Sequence, residues 1–388
     1  MYNWRLSSKN RLIMVITEIE AKSILRKHKK IDSWFVSRYG MNLYRGCIHD
    51  CVYCDGRAER YNVDGDFGKD IAVKVNAIEL LERELDPRRK RIPLIKGFII
   101  LGGGVGDSYQ PAEKRYQLTR KALELLLDYD FPVHILTKST LVERDIDLLT
   151  EINKKSKVLV SISFSSTDEE ISRRFEPRVP SPRERLNLLK EIKKQGIACG
   201  MFLMPVIPHI TDTPHLLDQS LARAAEAKLD YVIFSGMTLK PGRQQDHFFA
   251  VLRESYPELL EEYHSIYANA GKWGNASYEY YDQLHLLFDK IAGQYKIPRR
   301  IPLGHFKDHI NENDRVVIIL EQMDYILKMR GQKSPYGYGA YSISQLKQPI
   351  GELTNSLRQL KGVGPVTERI VREILQTGSS TYYEKLMS

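Results

Sequence analysis

The sequence predicts an α/β fold whose core is a parallel β-sheet. From residue 41 to residue 242, short apolar runs rich in Ile, Val and Phe alternate with amphipathic helical patterns. Six strand–helix units in succession imply parallel strands joined by right-handed crossovers. Periodicity leaves open whether this sheet is doubly wound or curls into a barrel.

The predicted elements follow each other in regular order. We expect strands at residues 41–45, 98–101, 133–136, 158–163, 198–203 and 231–234. We expect helices at residues 77–85, 112–127, 146–152, 183–195 and 214–227. Ser181 and Pro182 mark the start of the fourth helix, because serine caps helix N-termini and proline is favoured at the first helical position.

The pattern changes on either side of this sheet region. The expected divisions are an N-terminal extension at 1–35, the parallel-sheet domain at 36–242, a mostly helical region at 243–345 and a small helical module at 346–388. A turn-rich linker is expected at residues 335–339, shortly before that module. A chain of 388 residues is long enough for one large domain with an appendage.

Composition limits the compartment and the partners. No apolar run approaches the length of a membrane span, and the first residues lack the apolar core of a signal peptide, so we expect a cytoplasmic protein without a membrane partner. The net charge is +9, from 58 basic and 49 acidic residues. This balance favours polyanionic partners, although each basic run taken alone is explained as well by a solvated surface.

Three of the four cysteines form a C-x₃-C-x₂-C motif at Cys47, Cys51 and Cys54. Clustered thiols without a secretory context predict a metal site rather than disulfides. Four-iron clusters are held by Cys thiolates, and three thiolates leave one iron open to a substrate. The alternative is zinc with His49 as a fourth ligand, but the sequence has no second cysteine knuckle. Cys199 stands alone and is expected to be a small buried hydrophobe.

With these cysteines, the sequence resembles the radical S-adenosylmethionine (SAM) enzymes, and among them the spore photoproduct lyase-like branch of DNA repair photolyase type. The resemblance covers roughly residues 40–240. It is carried by the sequences NLYRGC before the cysteine loop, DSYQPAE after the second strand, LTKS at the third strand end, and RFEP and PSP before the fourth helix.

The resemblance implies a partial (β/α)₆ barrel with a [4Fe–4S] cluster at its top. The methionyl group of SAM would chelate the open iron, and reduction would release a 5′-deoxyadenosyl radical that abstracts a hydrogen atom. The cofactor carries the difficult chemistry, and the protein supplies orientation and protection. The implied partners are nucleic acid and a reducing electron donor such as a flavodoxin or ferredoxin.

Glycines and a lysine are implied as contacts of the methionyl group. Gly102, Gly103 and Gly104 follow the second strand, where glycine permits close backbone approach to a ligand. The resemblance places this segment at the methionyl amino group, and a simple tight turn is the alternative. Lys138 ends the third strand, and the resemblance pairs it with the methionyl carboxylate as a compact charge.

Three further residues are candidates for the rest of SAM. Tyr53 lies between the last two cysteines, where the resembled family has an aromatic residue against the adenine. Ser161 and Ser163, near the end of the fourth strand, are candidates for ribose or carboxylate binding. The alternative for both serines is an ordinary polar residue at a strand end.

Two positions depart from the lyase pattern. Spore photoproduct lyases have a Cys in the second-strand motif, which returns a hydrogen atom to the product radical, and a Tyr directly after the last cluster Cys. The corresponding residues here are Gly104 and Asp55. We therefore expect another hydrogen donor, with Tyr109, Tyr280 and Tyr281 as candidates, or another fate of the product radical.

Near the C-terminus, the sequence LRQLKGVGPVTERIV predicts a helix-hairpin-helix motif. Its glycines allow a tight turn whose backbone N–H groups face a phosphate at the start of the second helix. Basic and hydroxyl side chains would add contacts that position nucleic acid without reading bases. The alternative is a helical hairpin used only for packing. The predicted nucleic-acid contacts are Arg358, Lys361, Gly362, Gly364 and Thr367.

These features together predict a radical SAM enzyme that repairs or modifies a base in nucleic acid, DNA rather than RNA. The target base would have to leave the stack to reach a buried radical. One alternative is a radical SAM enzyme acting on a peptide or small metabolite, and another is a non-catalytic nucleic-acid binder with a structural metal. The Tyr- and His-rich segment 263–285 predicts either stacking surfaces for bases or ordinary helix packing.

Overall fold

The computed structural model describes residues 2–3, 15–61, 63, 65–89, 93–102 and 105–387. Two of the three glycines predicted to contact SAM, Gly103 and Gly104, lie outside the described residues. The strands are β1 (Tyr2–Asn3), β2 (Val15–Ile19), β3 (Leu25–Asp32), β4 (Ser37–Met41), β5 (Tyr44–Arg45), β6 (Asp70–Lys74), β7 (Ile99–Leu101), β8 (Val133–Thr137), β9 (Val158–Phe164), β10 (Ala198–Val206) and β11 (Tyr231–Gly236).

The α-helices alternate with strands β6 to β11 and then follow one another to the C-terminus. They are α1 (Ala77–Leu85), α2 (Glu113–Tyr116), α3 (Leu118–Asp128), α4 (Ile146–Lys155), α5 (Glu169–Phe175), α6 (Pro182–Lys194), α7 (Pro214–Glu226), α8 (Arg243–Ser255), α9 (Leu260–Ile266), α10 (Tyr278–Tyr295), α11 (Glu312–Met329), α12 (Tyr336–Ser344), α13 (Pro365–Thr377) and α14 (Thr381–Met387). None of the described helices is long and apolar enough to cross a membrane.

The main sheet has the order β11-β10-β9-β8-β7-β4-β3. Six of its strands are parallel, namely β4, β7, β8, β9, β10 and β11. Strand β3 is added antiparallel to β4 at the edge. This sheet curls into a half-barrel, so the predicted α/β class and partial (β/α)₆ barrel are confirmed. The smaller sheet, with the order β1-β2-β6-β5, lies beside the start of the barrel.

One predicted helix is two helices in the structure. The pattern at residues 112–127 is interrupted at Gln117, which has a left-handed backbone with φ of 52°. The buried carboxylate of Glu113 accepts hydrogen bonds from the backbone N–H groups of Thr119 (2.9 Å) and Arg120 (3.3 Å). Glu113 therefore satisfies the first free N–H groups of α3, which starts a new helix at Leu118.

The prediction of a polar N-terminal extension at residues 1–35 is wrong for its described part. Strand β2 pairs in parallel with β6, and β3 pairs with β4 from Leu25 opposite Met41 to Asp32 opposite Ser37. Strand β3 is rich in lysine because it is an edge strand, where charged side chains prevent pairing with other chains. This composition hid the strand from a search for apolar runs.

The two faces of the barrel sheet have different coverings. Helices α3, α4, α6 and α7 bury the outward-facing residues, as shown by Leu189 packed in one core with Val160. The inward-facing residues at the base of the barrel pack against α11, which is buried from Val316 to Leu320. The base is closed in this way, and the opposite end, where the parallel strands terminate, is left for a site.

The C-terminal residues do not form a separate module. Ile370 and Ile374 of α13 belong to the same apolar core as Phe202 of β10. The predicted linker at 335–339 is also wrong, because α12 begins at Tyr336 and buries Ala340 in that core. The C-terminal helices therefore complete the base of the barrel.

Candidate active site

The cysteine loop follows β5 and is held by a buried glutamine. The Gln110 side chain donates to the backbone oxygen of Gly46 (3.2 Å) and accepts from the backbone N–H of Ile48 (3.2 Å). Gln110 is completely buried, so both ends of its amide depend on these partners. The start of the loop, where Cys47 lies, is fixed by this pair of bonds.

The middle of the loop is held by charge. Asp50 adopts a positive φ of 56°, and its carboxylate pairs with Arg57 and with Arg178 at 2.9 Å. The Arg57 side chain also donates to the backbone oxygen of Cys51 (3.3 Å). Beyond the loop, the Cys54 sulfur accepts from the N–H of Gly56 (3.4 Å). The loop backbone is thus ordered by groups other than its thiols.

The three thiols have a chemistry that suits a metal cluster. Cys47 and Cys51 are buried and Cys54 is half-buried. Burial raises the pKa of all three thiols above the ordinary value. Thiolates at these positions therefore need a compensating positive charge, which bound iron supplies. Within the described ranges, no three His, Cys, Asp or Glu side chains converge as ligands of a single ion, so the ligand assignment rests on the motif and the family.

His49, the alternative fourth ligand, and the remaining cysteine, Cys199, have other neighbours. The Nε2 atom of His49 lies 3.2 Å from Asp107, and its Nδ1 atom lies 3.3 Å from the backbone oxygen of Arg178. Cys199 faces the outer helical layer, with its sulfur 3.5 Å from the backbone oxygen of Leu189. As expected, Cys199 is completely buried.

Lys138 belongs to a charged network at the top of β8 and β9. Its Nζ atom donates to Ser163 Oγ (2.8 Å) and to Glu176 Oε1 (2.9 Å). The other oxygen of Glu176 pairs with Arg185 at 2.6 Å, and both of these side chains are fully buried. The hydroxyl of Tyr53 donates to the same carboxylate. The network brings together three of the residues predicted for SAM: Tyr53, Lys138 and Ser163.

The ionisation of this network follows from its charges. Burial alone would raise the pKa of Glu176, but Arg185 and Lys138 outweigh it and hold that pKa well below its ordinary value. Burial, together with the adjacent Glu176 carboxylate, raises the pKa of Tyr53 well above its ordinary value. Glu176 is therefore a carboxylate and Tyr53 a neutral phenol that donates to it.

A second buried carboxylate connects the cysteine loop with the end of β8. Asp107 accepts from Thr137 Oγ1 (2.7 Å) and from the backbone N–H of Lys138 (2.8 Å), and it lies beside His49. Burial opposes its ionisation, but His49 and these hydrogen bonds lower the pKa of Asp107 below its ordinary value. Asp107 thus fixes the backbone of Lys138 as Glu176 fixes its side chain.

A cavity of about 1160 Å³ lies beside this network, at the open end of the barrel. Its volume exceeds that of an ordinary ligand pocket, so it has room for a cofactor and part of a substrate. Gly102 has a φ of 93°, and a Cβ atom there would lie 1.9 Å from the backbone oxygen of Leu136, so only glycine fits this wall. The walls include the predicted residues Tyr53, Cys54, Gly102 and Ser163, and also Asp55, Tyr61, Arg26 and His28.

The structure does not bring Ser161 to this cavity. Its hydroxyl lies 2.8 Å from Nε2 of His134 and 2.8 Å from the hydroxyl of Tyr231, and the residue is completely buried. Burial lowers the pKa of His134 to about 4, so this imidazole is neutral. The alternative reading of Ser161 as a structural polar residue therefore fits its surroundings.

The three tyrosines predicted as hydrogen donors also lie away from the cavity wall. Tyr109 is completely buried, and Tyr280 and Tyr281 bond to Asp212 (2.8 Å) and to the backbone oxygen of Met237 (2.9 Å). Tyr281 packs behind the cavity-lining Gly236. Tyr263, the first residue of the segment 263–285, is fully buried. At this position the segment serves helix packing and not stacking on bases.

Sequence reasoning missed Tyr61, which lines the cavity. Its hydroxyl donates to Asp55 at 3.4 Å. Asp55, which replaces the lyase tyrosine, pairs with Lys240 at 2.6 Å and accepts from Thr238 at 2.9 Å. No local motif marks Tyr61, because its place on the wall comes from the packing of the 3₁₀ turns after the cysteine loop.

The predicted phosphate-binding turn is different from a regular helix-hairpin-helix. The first limb, Ile350–Gln359, is a 3₁₀ segment broken at Ser356. Thr367 is 1% exposed, and Arg358 pairs with Glu368, which also holds Arg372 at 2.9 Å. The side chain of Thr367 therefore lies inside the core and not on the surface where the predicted nucleic-acid contact would be made.

The glycines of this turn have different roles. Gly362 has a φ of 83° and packs against α12, where a Cβ atom would lie 2.6 Å from Cβ of Tyr338. Gly364 has open space around it and precedes α13. Gly362 therefore serves the packing of the turn on α12, as the alternative interpretation of a packing hairpin predicts, while Lys361 stays exposed beside it.

Comparisons with known proteins identify the class of enzyme. A profile of the Radical SAM superfamily matches residues 41–219. An uncharacterized protein of Mycobacterium tuberculosis strain H37Rv is 35% identical over 234 residues, which are 59% of this chain and 67% of that protein. An uncharacterized protein of Methanocaldococcus jannaschii is 31% identical over 227 residues, covering 58% of this chain and 79% of that protein.

Solved structures share the fold. A spore photoproduct lyase complexed with dinucleoside spore photoproduct has a TM-score of 0.52 and 17% identity, covering 72% of this chain and 79% of that one. A mutant of that lyase with bound AdoMet and dinucleoside spore photoproduct has a TM-score of 0.50 and 19% identity, covering 73% and 79%. At these identities the likeness shows a common fold.

The chain belongs to the radical SAM superfamily. It is accordingly a radical SAM enzyme that uses a [4Fe–4S] cluster and SAM. The thiols of Cys47, Cys51 and Cys54 would hold the cluster. In this superfamily, the cluster and SAM together supply a radical that abstracts a hydrogen atom. The described residues of this chain order the cysteine loop, shape the cavity and fix the charges around it.

Proposed function

We propose that this enzyme abstracts a hydrogen atom from a nucleic-acid substrate, in the repair or modification of a base in DNA. The observation that carries the proposal is the composition of the cavity wall. The wall combines Tyr53 and Cys54 with Arg26 and His28 of the basic strand β3. A polyanion is attracted to such a wall, and the net charge of +9 acts in the same direction.

The structural neighbours support the same substrate class. The lyase that shares this fold is complexed with a dinucleoside photoproduct. Two features argue for a reaction different from that of the lyases, since Gly104 and Asp55 stand where those enzymes have hydrogen-return residues. Tyr61 now replaces the three tyrosines predicted from the sequence as the candidate donor, because it lines the cavity and its hydroxyl bonds to the half-exposed Asp55.

We assign the binding of SAM to residues around the charged network. Lys138 is the cation for the methionyl carboxylate; its partner Ser163 lies on the cavity wall, and Gly102 lines the same cavity. Tyr53 presents its ring to the cavity while Glu176 holds its hydroxyl. A reducing electron donor such as a flavodoxin or ferredoxin completes the system.

The test is hydrogen transfer from labelled nucleic acid. Anaerobically reconstituted enzyme is incubated with a reductant, SAM and oligonucleotides deuterated in the bases and sugars. We expect deuterium in 5′-deoxyadenosine, measured by mass spectrometry. The target base must leave the stack, so single-stranded DNA should donate better than duplex. RNA of the same sequence and an unlabelled oligonucleotide serve as controls.

Two results would contradict the proposal. If 5′-deoxyadenosine forms at the same rate with and without any DNA or RNA and carries no deuterium, nucleic acid is not the substrate. If deuterium enters instead from a labelled peptide or small-metabolite mixture, the alternative substrate class is correct. Because both results still require cleavage of SAM, they leave the class of enzyme unchanged.

A further inference from the structure

A basic groove of about 1140 Å³ runs along the edge strand β3. One side is formed by β3 and the residues just after it, and the other by α11, α12 and the segment between them. We name it the β3–α12 groove. Its basic and aromatic walls contain Arg26, Lys27, His28, Lys29, Lys30, Trp34, Phe35, Lys328, Tyr338 and Tyr341.

The cations of this groove are largely free of internal partners. Arg26, Lys27 and Lys29 are exposed, and in the part of the chain that the structure describes none of the three forms a salt bridge. Asp314, whose charge also acts on Lys27, forms its salt bridge with Arg38 at 3.4 Å. Three neighbouring positive charges are thus presented to solvent along one strand.

The acidic residues of the groove are already used. Glu321 pairs with Lys30, and Asp324 pairs with Lys328 at 2.7 Å. The Asp32 carboxylate accepts from the backbone N–H groups of the two following aromatic residues, at 2.8 and 3.0 Å. Asp32 keeps its negative charge, but Arg26, Lys27 and Lys29 outnumber it, so the balance of the groove is positive, as a binding surface for phosphates requires.

Two tyrosines face solvent on the other wall. Tyr338 is 71% exposed and Tyr341 is 60% exposed. They are three residues apart on α12, so they project from the same side of the helix. The backbone at Tyr338 is held by the close approach of Gly362. Exposed aromatic rings beside a row of cations match the way proteins bind unpaired bases and their phosphates.

The groove is continuous with the catalytic cavity. Arg26, His28, Phe35 and Ile100 line both spaces. A strand that lies in the groove therefore has a path to the wall that carries Cys54. In a duplex the faces of the bases are covered by their neighbours, so the two tyrosines could not stack on them. A single strand exposes those faces.

We propose that the β3–α12 groove binds a single-stranded segment of the substrate and leads it to the catalytic cavity. Arg26, Lys27 and Lys29 contact phosphates, and Tyr338 and Tyr341 stack on bases. This inference rests on the proposed function, because it names the surface that carries the nucleic-acid substrate. It moves the main contact away from the C-terminal turn predicted from the sequence.

The test is binding of a fluorescent single-stranded oligonucleotide to the reconstituted full chain, followed by anisotropy over a series of salt concentrations. For the pair Lys27→Glu and Lys29→Glu we expect affinity to fall by about tenfold or more at low salt. The slope of log K against log salt should become shallower by the amount expected for the loss of about two phosphate contacts. For the pair Tyr338→Ala and Tyr341→Ala we expect a loss of at least about fivefold, with the salt slope retained.

A matched charge control is available on the opposite side of the sheet. Lys154 and Lys194 are exposed residues of α4 and α6, so Lys154→Glu with Lys194→Glu makes the same change in net charge. We expect this control to bind almost like wild type. Cluster absorbance and thermal unfolding show whether each variant is folded, and single Lys27→Gln and Tyr338→Phe variants provide milder changes.

The outcomes separate this inference from the proposed function. If deuterium passes from oligonucleotide to 5′-deoxyadenosine, but groove variants and the control pair bind equally, the groove is the wrong surface and the proposed function stands. If no nucleic acid donates hydrogen, the proposed function fails whatever the binding shows. If an acidic peptide displaces the oligonucleotide at equal concentration, the assignment to nucleic acid is overturned.

Discussion

At the scale of single residues, Glu176 is the centre of the site. Its carboxylate connects Lys138, Arg185 and Tyr53 in a place from which water is excluded. A buried charge of this kind is stable only while its partners are present, and the partners depend on it equally. Under the proposed assignment of Lys138 to SAM, Glu176 is a positioning residue that holds the Lys138 side chain.

We predict that Glu176→Gln keeps the shape of this site but destabilises the fold by about 3–5 kcal/mol, because it leaves Arg185 buried without a counter-charge. The loss should depend on pH. The folded pKa of Glu176 is depressed, so its contribution is complete above the ordinary value of 4.5 and is lost as pH falls below it. Urea unfolding at neutral and acidic pH measures this difference.

The matched control is Glu191→Gln. Glu191 pairs with Lys194 at 2.6 Å, but both side chains are about half exposed or more. An exposed pair of this kind contributes less than about 1 kcal/mol. The account is contradicted if the free energy of unfolding falls equally in the two variants. It is also contradicted if the fall in Glu176→Gln is as large at acidic pH as at neutral pH.

The structure brings predicted site residues together where a local motif carries them, as with Tyr53 and Lys138, and separates them where strand geometry decides. Ser161 and Ser163 share one face of β9, but two residues along a strand separate them by about 6.6 Å. Ser163 therefore reaches Lys138 at the end of the barrel, while Ser161 lies deeper beside His134. A hydroxyl two positions from a strand end was a reasonable candidate whose depth only the fold could show.

At the scale of elements, five of the six parallel strands, β7 to β11, were predictable because each is a buried apolar run. The first was misplaced: it is β4 (Ser37–Met41), where buried and half-buried residues alternate, whereas most of the strand predicted at 41–45 falls on the turn to β5 and on β5 itself, in the smaller sheet. The edge strand β3 was not predicted, because one of its edges is exposed and its composition is basic. Helix α12 was also missed, since Tyr-Gly-Tyr-Gly has weak helix propensity and is stabilised by packing instead. Close approach of the 360–364 turn to Gly339 explains why small residues occur in this helix.

We predict that Gly362→Ala destabilises the protein by about 1–3 kcal/mol. The added Cβ would lie 2.6 Å from Cβ of Tyr338 and 2.8 Å from the backbone nitrogen of Gly339, and the φ of 83° is itself unfavourable for alanine. Thermal unfolding measures the effect, and oligonucleotide binding should fall with it, because α12 presents the groove tyrosines.

Gly364→Ala is the control for this prediction. Gly364 has no atom within 4 Å of an added Cβ, and its φ of −87° suits any residue. We expect only a small change in its thermal unfolding. A Gly364→Ala variant less stable than Gly362→Ala would contradict the packing account of this turn.

At the scale of the whole molecule, the base and the top of the half-barrel have separate tasks. The C-terminal helices fill the base with apolar side chains, including Ile370 and Phe202 in a single core. The top holds the cysteine loop, and the β3–α12 groove leads to it from the side. Net charge does not predict this division, because it counts buried and exposed cations alike. Arg300, for example, is buried between the rings of Trp34 and Tyr325.

The central claim is that three thiolates hold the cluster and no other side chain completes its ligands. The most direct measurement is electron–nuclear double resonance on the reduced, reconstituted enzyme, with SAM labelled in its methionyl carboxylate. We predict about four irons per chain and coupling between the label and the cluster, retained in Cys199→Ser and His49→Gln and lost in Cys51→Ala. A cluster that shows no coupling to SAM in the wild type, or that loses its metal with Cys199 or His49, would contradict the account.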